Sequence, residues 1–553
     1  MIRLLFLLFG FFVCTYAAND ESIYYVDAKN TNTFDESAYQ KPSAEQNSTK
    51  AETNVSMEQN TTKAEANISM EQNSTKTPYS DEADLYIDLD SNETNTTEAN
   101  RTSLSDDPLF HAQRDEGMSF HDAINKAIEN SYKIDAVMEQ VLQSKMKKEE
   151  AFAGHLPVIN FTGDGGYEAR QVRKDDNNPG NFSSLTTYQK YRKVDLYLTI
   201  TQNLWNGGAI QDAINKEKAN LNATLYNYRE KLEDLVAQTA KAYFEVVYAE
   251  IALKIAKKNM KSYLKILNIV QTKEKNGAAT KGDVNFIQAN VDNAKIDLVQ
   301  REKAVVDAKA NYTYLLQTTS EAELPYEIET PLYINDLNTS LQEAEQHNAK
   351  LQKQKSYIDA SRYDFLSTKG SFHPKIDLAI NGESRNEFNV GLGKREKANA
   401  LLLFNYNLYR GGKDEARAIR LLSKMREQKY LFQDIRRKLV YDVTVLNQSV
   451  LSLHDSLALK EREVLSSREV VKSYWIAFGH GTQDLQALQL AQINLNRAEQ
   501  AYARYKKELI LSNIELMQKT GVLLEFLEVA FKKDASEFKD SSHILYNYYN
   551  LEQ

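Results

Sequence analysis

Apolar residues recur along this chain with two periods, and the points where the period changes divide it into elements. After Gly208, the positions Leu221, Leu225, Tyr228, Leu232, Leu235, Thr239, Ala242, Val246, Ala249, Leu253, Ala256, Met260, Tyr263, Leu267 and Val270 keep an unbroken 4-3 spacing. That is the seam of a long helix packed along its length. A second helical run follows Gly277 with Val284, Ile287, Val291, Ala294 and Leu298, and resumes past Arg301 with Val305, Ala308, Tyr312 and Leu315. Ahead of both, residues 194–201 alternate. Val194, Leu196, Leu198 and Ile200 fall on one side, and Asp195, Tyr197, Thr199 and Thr201 on the other, which predicts a strand with one apolar face. A strand-like run at 158–167 puts Ile159, Phe161, Gly163 and Gly165 on one face, and the polar segment 170–193 separates the two.

The same order occurs a second time. A strand is expected at 374–388 and another at 400–409, with Leu402, Phe404, Tyr406 and Leu408 on one face. A helical rhythm then runs through Leu446, Val450, Leu453, Leu457, Val464, Val471, Tyr474 and Phe478. The junctions match as well. Leu204, Trp205, Asn206, Gly207 and Gly208 open the first long helix, and Leu408, Tyr409, Arg410, Gly411 and Gly412 open the second. From Gly208 to Gly277 is 69 positions, and from Gly412 to Gly481 is also 69. At 1.5 Å per residue each helix is roughly 100 Å long, so both end at the same height.

Before the first strand, Ile124, Ile128, Val137 and Val141 predict one helix over 118–152, capped by Ser119 and ended by Gly154 and Pro157. At the N-terminus, residues 1–17 carry Arg3, an apolar run over 4–13 and small residues Thr15 and Ala17. This reads as a secretory signal peptide, too short for a spanning helix. The one cysteine, Cys14, lies inside it. Phe12 and Val13 stand where a lipidated cysteine would have small residues before it.

Residues 18–107 are rich in Asn, Thr, Ser and Glu with almost no apolar clustering, and so are expected to be disordered. A 13-residue unit repeats within them, at 45–57, 58–70 and then 71–76. Every Asn-x-Ser/Thr there has an acid two positions earlier. The asparagines are Asn47, Asn54, Asn60, Asn67, Asn73, Asn92, Asn95 and Asn100, and the acids are Glu45, Glu52, Glu58, Glu65, Glu71, Asp90, Glu93 and Glu98. Of Asn160, Asn181, Asn222, Asn311, Asn338 and Asn447 in the body, only Asn338, with Asp336, has the acid. The tail pattern resembles the extended acceptor sequence of bacterial periplasmic N-glycosylation. A plain solvated spacer is the alternative.

Four strands of about ten residues with an apolar outer face match what crosses a bilayer in a barrel, yet four cannot close one. Two chains would supply eight strands with a filled interior, and three would supply twelve with a lumen. The twofold order of strand pair, double-glycine junction, long helix and glycine turn resembles the TolC family of outer-membrane efflux and secretion channels. The turn sequences beginning Gly277, Ala278 and Gly481, Thr482 complete the likeness, which spans about 118–521. The fold implied is mainly α with β: a TolC-like trimer with a twelve-stranded outer-membrane β-barrel continued by a long periplasmic α-helical barrel. The domain reading is signal peptide 1–17, extension 18–107, first repeat 118–320, connector 321–338, second repeat 339–521 and tail 522–553. The resemblance further implies a homotrimer in outer-membrane lipid, whose turns meet a periplasmic adaptor and an inner-membrane ABC or RND-type transporter.

Carried over residue by residue, Asp283 matches an acidic position near the family's entrance. Gln483 stands where a basic gate residue can occur, and Ala487 and Leu490 where acidic pore-ring residues can occur. Asp484, one turn nearer the tip, is the substitute candidate. For Asp283 and Asp484, plain helix capping is an equal reading. No catalytic constellation, cofactor motif or metal cluster is visible: eight histidines are scattered, and no phosphate-cradling glycine loop follows a strand. A net charge of −9 argues against a nucleic-acid partner. Two other classes stay open, a periplasmic coiled-coil adaptor and a surface structural or adhesin protein.

Overall fold

The computed structural model describes residues 104, 107–110, 117–174, 185–317, 332–388 and 393–529, all within one compact unit spanning 94–553. The eight tail asparagines and Asn181 lie outside the described residues. In chain order the elements are α1 (Phe120–Glu129), α2 (Tyr132–Phe152), β1 (Val158–Lys174), β2 (Leu185–Trp205), α3 (Ala209–Lys275) and α4 (Lys281–Leu316). Then come α5 (Leu337–His347), α6 (Ala349–Gly370), β3 (Lys375–Phe388), β4 (Gly393–Asn405), α7 (Lys413–Gly479), α8 (Leu485–Thr520) and α9 (Leu523–Phe526).

The internal repeat is carried into the fold. Helices α3 and α7 have 67 residues each, and α4 and α8 have 36 each. Each α3-type helix leaves its strand through two glycines in the left-handed region, at φ 67° and 82° for Gly207 and Gly208 and 64° and 79° for Gly411 and Gly412. A side chain at these positions meets its own backbone, which is why glycine stands there.

Three expectations are corrected. The helix over 118–152 is two, α1 and α2, because Ser131 takes the Ile134 N–H and starts a new helix, while the Asn130 amide donates to the Leu316 carbonyl. The strands are longer than ten residues: β1 has 17 and β2 has 21, so most of the segment 170–193 is strand rather than separator. The last strand runs 393–405, earlier than the expected 400–409.

The sheet is antiparallel in the order β1-β2-β3-β4, so β1 and β4 are its edges. Register pairs Asp164 with Asp195 and Asp195 with Arg385. The helices pack around a core on α3, where Leu232, Val236, Tyr243, Val247 and Ile251 are buried against α1, α4 and α8. A second, separate cluster closes the far end, made by Tyr263, Ile266, Val270, Ile287, Val291, Phe478 and Leu488.

Candidate functional site

The sheet is inside out. Its apolar positions Ile159, Phe161, Val194, Leu196, Leu198, Leu402 and Phe404 are exposed, Phe161 at 70%. The opposite face carries Asp195, only 2% exposed, and Asp377, 5% exposed. Asp195 lies 3.4 Å from the Arg385 Nε and 3.6 Å from the Lys193 ammonium, and Lys193 also reaches Asp164 at 3.0 Å. Asp377 accepts from the Asn203 amide at 2.8 Å and pairs with Lys375 at 3.0 Å. A water-soluble sheet would bury the leucines and solvate the carboxylates, so the medium on the leucine side is apolar.

The apolar band has a measurable height. On β2 it covers residues 194–204, which at about 3.3 Å per residue and a tilt near 40° spans about 25 Å, the height of a barrel's lipid-facing belt. Exposed Tyr167, Tyr188 and Phe388 edge it on the side of the strand hairpins, and Trp205, Tyr406 and Tyr409 on the helical side. Aromatic rings bounding an apolar belt mark its two interfaces. No described helix is long and apolar enough to cross a membrane.

At the other end of the helices the four turn residues do what their spacing predicts. Gly277 and Gly481 both sit at φ 74°. The Gly277 N–H donates to Glu274 O at 2.9 Å and the Ala278 N–H to Lys273 O at 2.7 Å; Gly481 donates to Phe478 O at 3.2 Å and Thr482 to Ala477 O at 3.0 Å. Both are the paired bonds that close a helix through a left-handed glycine. The two turns are superimposable in their bonding, one per repeat.

Each acidic candidate is engaged at a helix start. Thr280 caps α4: its hydroxyl oxygen accepts the Asp283 N–H at 3.2 Å, and the Asp283 carboxylate accepts the Thr280 N–H at 2.8 Å. These bonds to Thr280 hold the Asp283 carboxyl below its ordinary range. Asp484 caps α8, accepting the Ala487 N–H at 2.7 Å. In the repeat Asp484 therefore matches Thr280, and Ala487 matches Asp283. Gln483 lies in the turn between α7 and α8, just before the cap. Capping leaves both carboxylates exposed at the tip, so their charge is displayed there as well.

Sequence reasoning passed over Lys273. Its ammonium donates to the Phe478 carbonyl at 2.8 Å and lies 3.8 Å from the centre of the Phe478 ring, tying the end of α3 to the end of α7. A lysine in the last turn of a helix was the available signal. Among the described residues no group of three or more His, Cys, Asp or Glu is placed to hold a metal ion.

The family model for "Outer membrane efflux protein" matches residues 123–316 and 340–522, one segment for each repeat and most of the described chain. This chain belongs to the outer membrane efflux protein family. It is similar to the outer membrane protein TolC of Vibrio cholerae, 23% identical over 418 residues, covering 71% of this chain and 86% of that one. It is also similar to the proteases secretion protein PrtF of Dickeya chrysanthemi, 24% identical over 276 residues, covering 47% of this chain and 57% of that one. Among solved structures, the Campylobacter jejuni CmeC outer membrane channel matches with a TM-score of 0.62 at 14% identity, over 76% of this chain and 88% of its own. The CusC channel matches with a TM-score of 0.62 at 16% identity, over 73% and 92%. The fold is that of TolC-like channels. The apolar-faced sheet is the outer-membrane part, and the long helices are the periplasmic part.

Proposed function

We propose that this protein is the outer-membrane exit duct of a tripartite efflux or type I secretion system. In this reading three copies form the conduit, and cargo from an inner-membrane ABC or RND-type pump passes through a periplasmic adaptor into it. The observation that carries it is an unfinished repeat contact. In the first repeat, Gly207 is wedged against the end of α6: a Cβ there would lie 2.6 Å from His373 Cβ and 2.8 Å from Gly370 O. Gly411, its partner in the second repeat, faces open space.

Helix α6 packs on both α3 and α7, whereas α2, its counterpart, packs on α3 within the chain. Repeating the α6–α3 contact would seat the α2 end of a second copy beside Gly411. The exposed side chains Ile419, Tyr430, Leu431 and Tyr441 on α7 then gain a partner. The same step joins edge strand β4 to edge strand β1 of the next copy. Three such steps give twelve strands and no open edge.

Efflux, in the family's description, and protease secretion, in the name of PrtF, support the duct without choosing its cargo. A coiled-coil adaptor or a surface fibre has no use for a belt of lipid-facing leucines about 25 Å high. The test is purification in detergent followed by planar-bilayer recording. The duct reading expects a heat-modifiable trimer that conducts; a monomer, or a trimer without conductance under any voltage, overturns it. For the adaptor contact, Gly277→Glu and Gly481→Glu, at exposed turn positions, are expected to abolish transport in cells while the trimer persists. Loss of the trimer in both would place these turns in assembly instead of docking.

A further inference from the structure

Leu104 and residues 107–110 sit apart from everything the duct requires. Leu104 and Phe110 are each 2% exposed, buried in the main helical core although they belong to no long helix. Between them Asp107 accepts the Leu109 N–H at 2.9 Å, and the Phe110 N–H donates to the Asp107 carbonyl at 2.9 Å, so residues 107–110 close into one tight turn. The turn meets three helices. Phe110 stacks edge-on against Tyr502 of α8 with ring centroids 4.8 Å apart, and the Arg468 guanidinium of α7 lies 5.6 Å from the Phe110 ring. Residues 108–110 also pack on α3.

A chain of charges runs through the same place. Asp107 pairs with Arg468, whose Nε donates to Glu499 of α8 at 3.1 Å; Glu499, 3% exposed, also accepts from Lys258 of α3 at 2.8 Å. The Leu104 N–H adds a bond to the Glu461 carboxylate of α7. Burial alone would raise the Asp107 carboxyl, but the Leu109 N–H and Arg468 outweigh it and hold it below its ordinary range. Arg468 is 11 positions before the end of α7 and Lys258 is 17 before the end of α3. At 1.5 Å per residue this crossing lies about 17–25 Å from the turns.

We propose that Leu104 and residues 107–110 form a clasp that fastens the α7–α8 hairpin to α3, so that the separation of the two hairpins depends on whether these residues are seated. Leu104 and Phe110 plug the seam between the hairpins, and the sequence Asp107, Arg468, Glu499, Lys258 carries the contact from the segment across α7 and α8 to α3. Without the segment, Arg468 keeps Glu499, but the apolar seam opens to water and the Asp107 link is gone. The inference rests on helix packing and stands or falls separately from the duct reading.

The experiment is a spin-label distance measurement on the full chain in a Cys14→Ser background, with labelled protein diluted into unlabelled. Glu274→Cys with Lys472→Cys, both exposed, reports the separation of the hairpins; Lys472→Cys with Asn494→Cys reports the α7–α8 hairpin itself. In Asp107→Asn and in Phe110→Ala the first distance is expected to lengthen or broaden while the second stays unchanged. Asp107→Glu and Phe110→Leu are expected to keep both. A Glu274–Lys472 distribution in Asp107→Asn and Phe110→Ala identical to that of the unsubstituted chain overturns the clasp. So does a change in the Lys472–Asn494 distance of Asp107→Asn, since the segment would then be holding the hairpin itself together.

Discussion

The Phe478 carbonyl accepts two bonds, one from Gly481 N–H of its own helix at 3.2 Å and one from the Lys273 ammonium of α3 at 2.8 Å. One oxygen thus closes the α7 turn and fastens it to α3. Lys273 does the same from the other side: its carbonyl closes the α3 turn through Ala278. Lys273→Met keeps the aliphatic stem and removes the charge, at a cost of about 1–2 kcal/mol for a charge-assisted bond and a ring contact. Hydrogen exchange at Gly481 and Thr482 should quicken about 5–30-fold, while the core of α3 around Val247 is unchanged. Unaltered exchange at the α7 turn would show the bond to be incidental.

Gly207 and Gly411 share a backbone conformation and differ in what surrounds them, which separates fold from assembly. Asn tolerates the left-handed region better than most residues. Gly411→Asn should leave the chain folded, because open space receives the side chain, but weaken a trimer that packs the next copy there. Gly207→Asn should fail to fold stably, since its Cβ meets His373 and the Gly370 carbonyl at under 3 Å. Size-exclusion chromatography with light scattering reads the first and thermal melting the second. A Gly411→Asn protein with an undiminished trimer would contradict the proposed step between copies.

Glu233, buried on α3, gives the helical domain a pH dependence of defined sign. Burial raises its carboxyl to about 7, against the pull of Arg229 and with the help of nearby Glu525 and Asp234. An unfolded glutamic acid titrates near 4.5, so between 4.5 and 7 the folded state holds a proton that the unfolded state has lost. This contribution is fully present below 4.5 and lost as pH rises to 7. Glu233→Gln keeps a hydrogen-bonding side chain beside Arg229, which still holds Gly521 O at 2.6 Å and Glu525 at 2.7 Å. The substitution should raise the melting temperature at pH 8 by about 2–4 °C per kcal/mol gained and leave pH 4.5 nearly unchanged. Melting curves that shift equally at both pH values would mean that Glu233 is ionised throughout.

The repeat, both glycine junctions and both turns were legible because each depends on a backbone that only particular residues adopt, and those residues are conspicuous. The strand ends were not. Beyond the apolar band the exposed charges Lys190 and Arg192 take the outward positions of β2, and Glu168 the opposite face of β1, so no apolar alternation is left to read. Past Asn405 the reverse happened: Tyr406 and Leu408 continue the alternation after the ladder has ended. The second buried stripe of α3, Val236, Tyr243, Val247 and Ile251, escaped the 4-3 reading because the middle of α3 is packed on several sides. At the tip, sequence gave equal weight to capping and gating for Asp283 and Asp484. The hydrogen bonds establish the capping and leave the exposed charge to experiment.

That charge can be tested without disturbing the caps. Three copies would bring up to six of these carboxylates near one axis, a cluster that attracts cations. Asp484→Asn retains a good capping residue, and Asp283→Asn retains a side chain able to accept the Thr280 N–H. In planar-bilayer recordings the double variant should lose cation selectivity and be less blocked by divalent ions, with the trimer intact. Selectivity equal to the original would assign both residues to capping alone.

The last prediction is that the tail carries glycans at Asn47, Asn54, Asn60, Asn67, Asn73, Asn92, Asn95 and Asn100, and the body supplies the contrast that supports it. There the acceptors are held in structure: Asn160 in β1, Asn222 in α3, Asn311 in α4 and Asn447, buried, donating to Asn335 O at 3.0 Å. Asn338 alone has the acid two positions before it, and that acid is already used. Asp336 caps α5, accepting the Asn338 and Thr339 N–H groups at 3.1 and 3.2 Å. The tail has acids at the same spacing in a composition too polar to bury a core, so its acceptor sites are chemically complete and an enzyme could engage them in extended form. Glycans there add bulk and solubility without entering a packed interface. Mass spectrometry of protein from its native host should find several increments within residues 19–102. Changing Glu45, Glu58 and Glu71 to Gln, with each Asn and Ser/Thr intact, should remove those at Asn47, Asn60 and Asn73 alone. An unmodified intact mass would leave the repeated acids as charges on a solvated spacer.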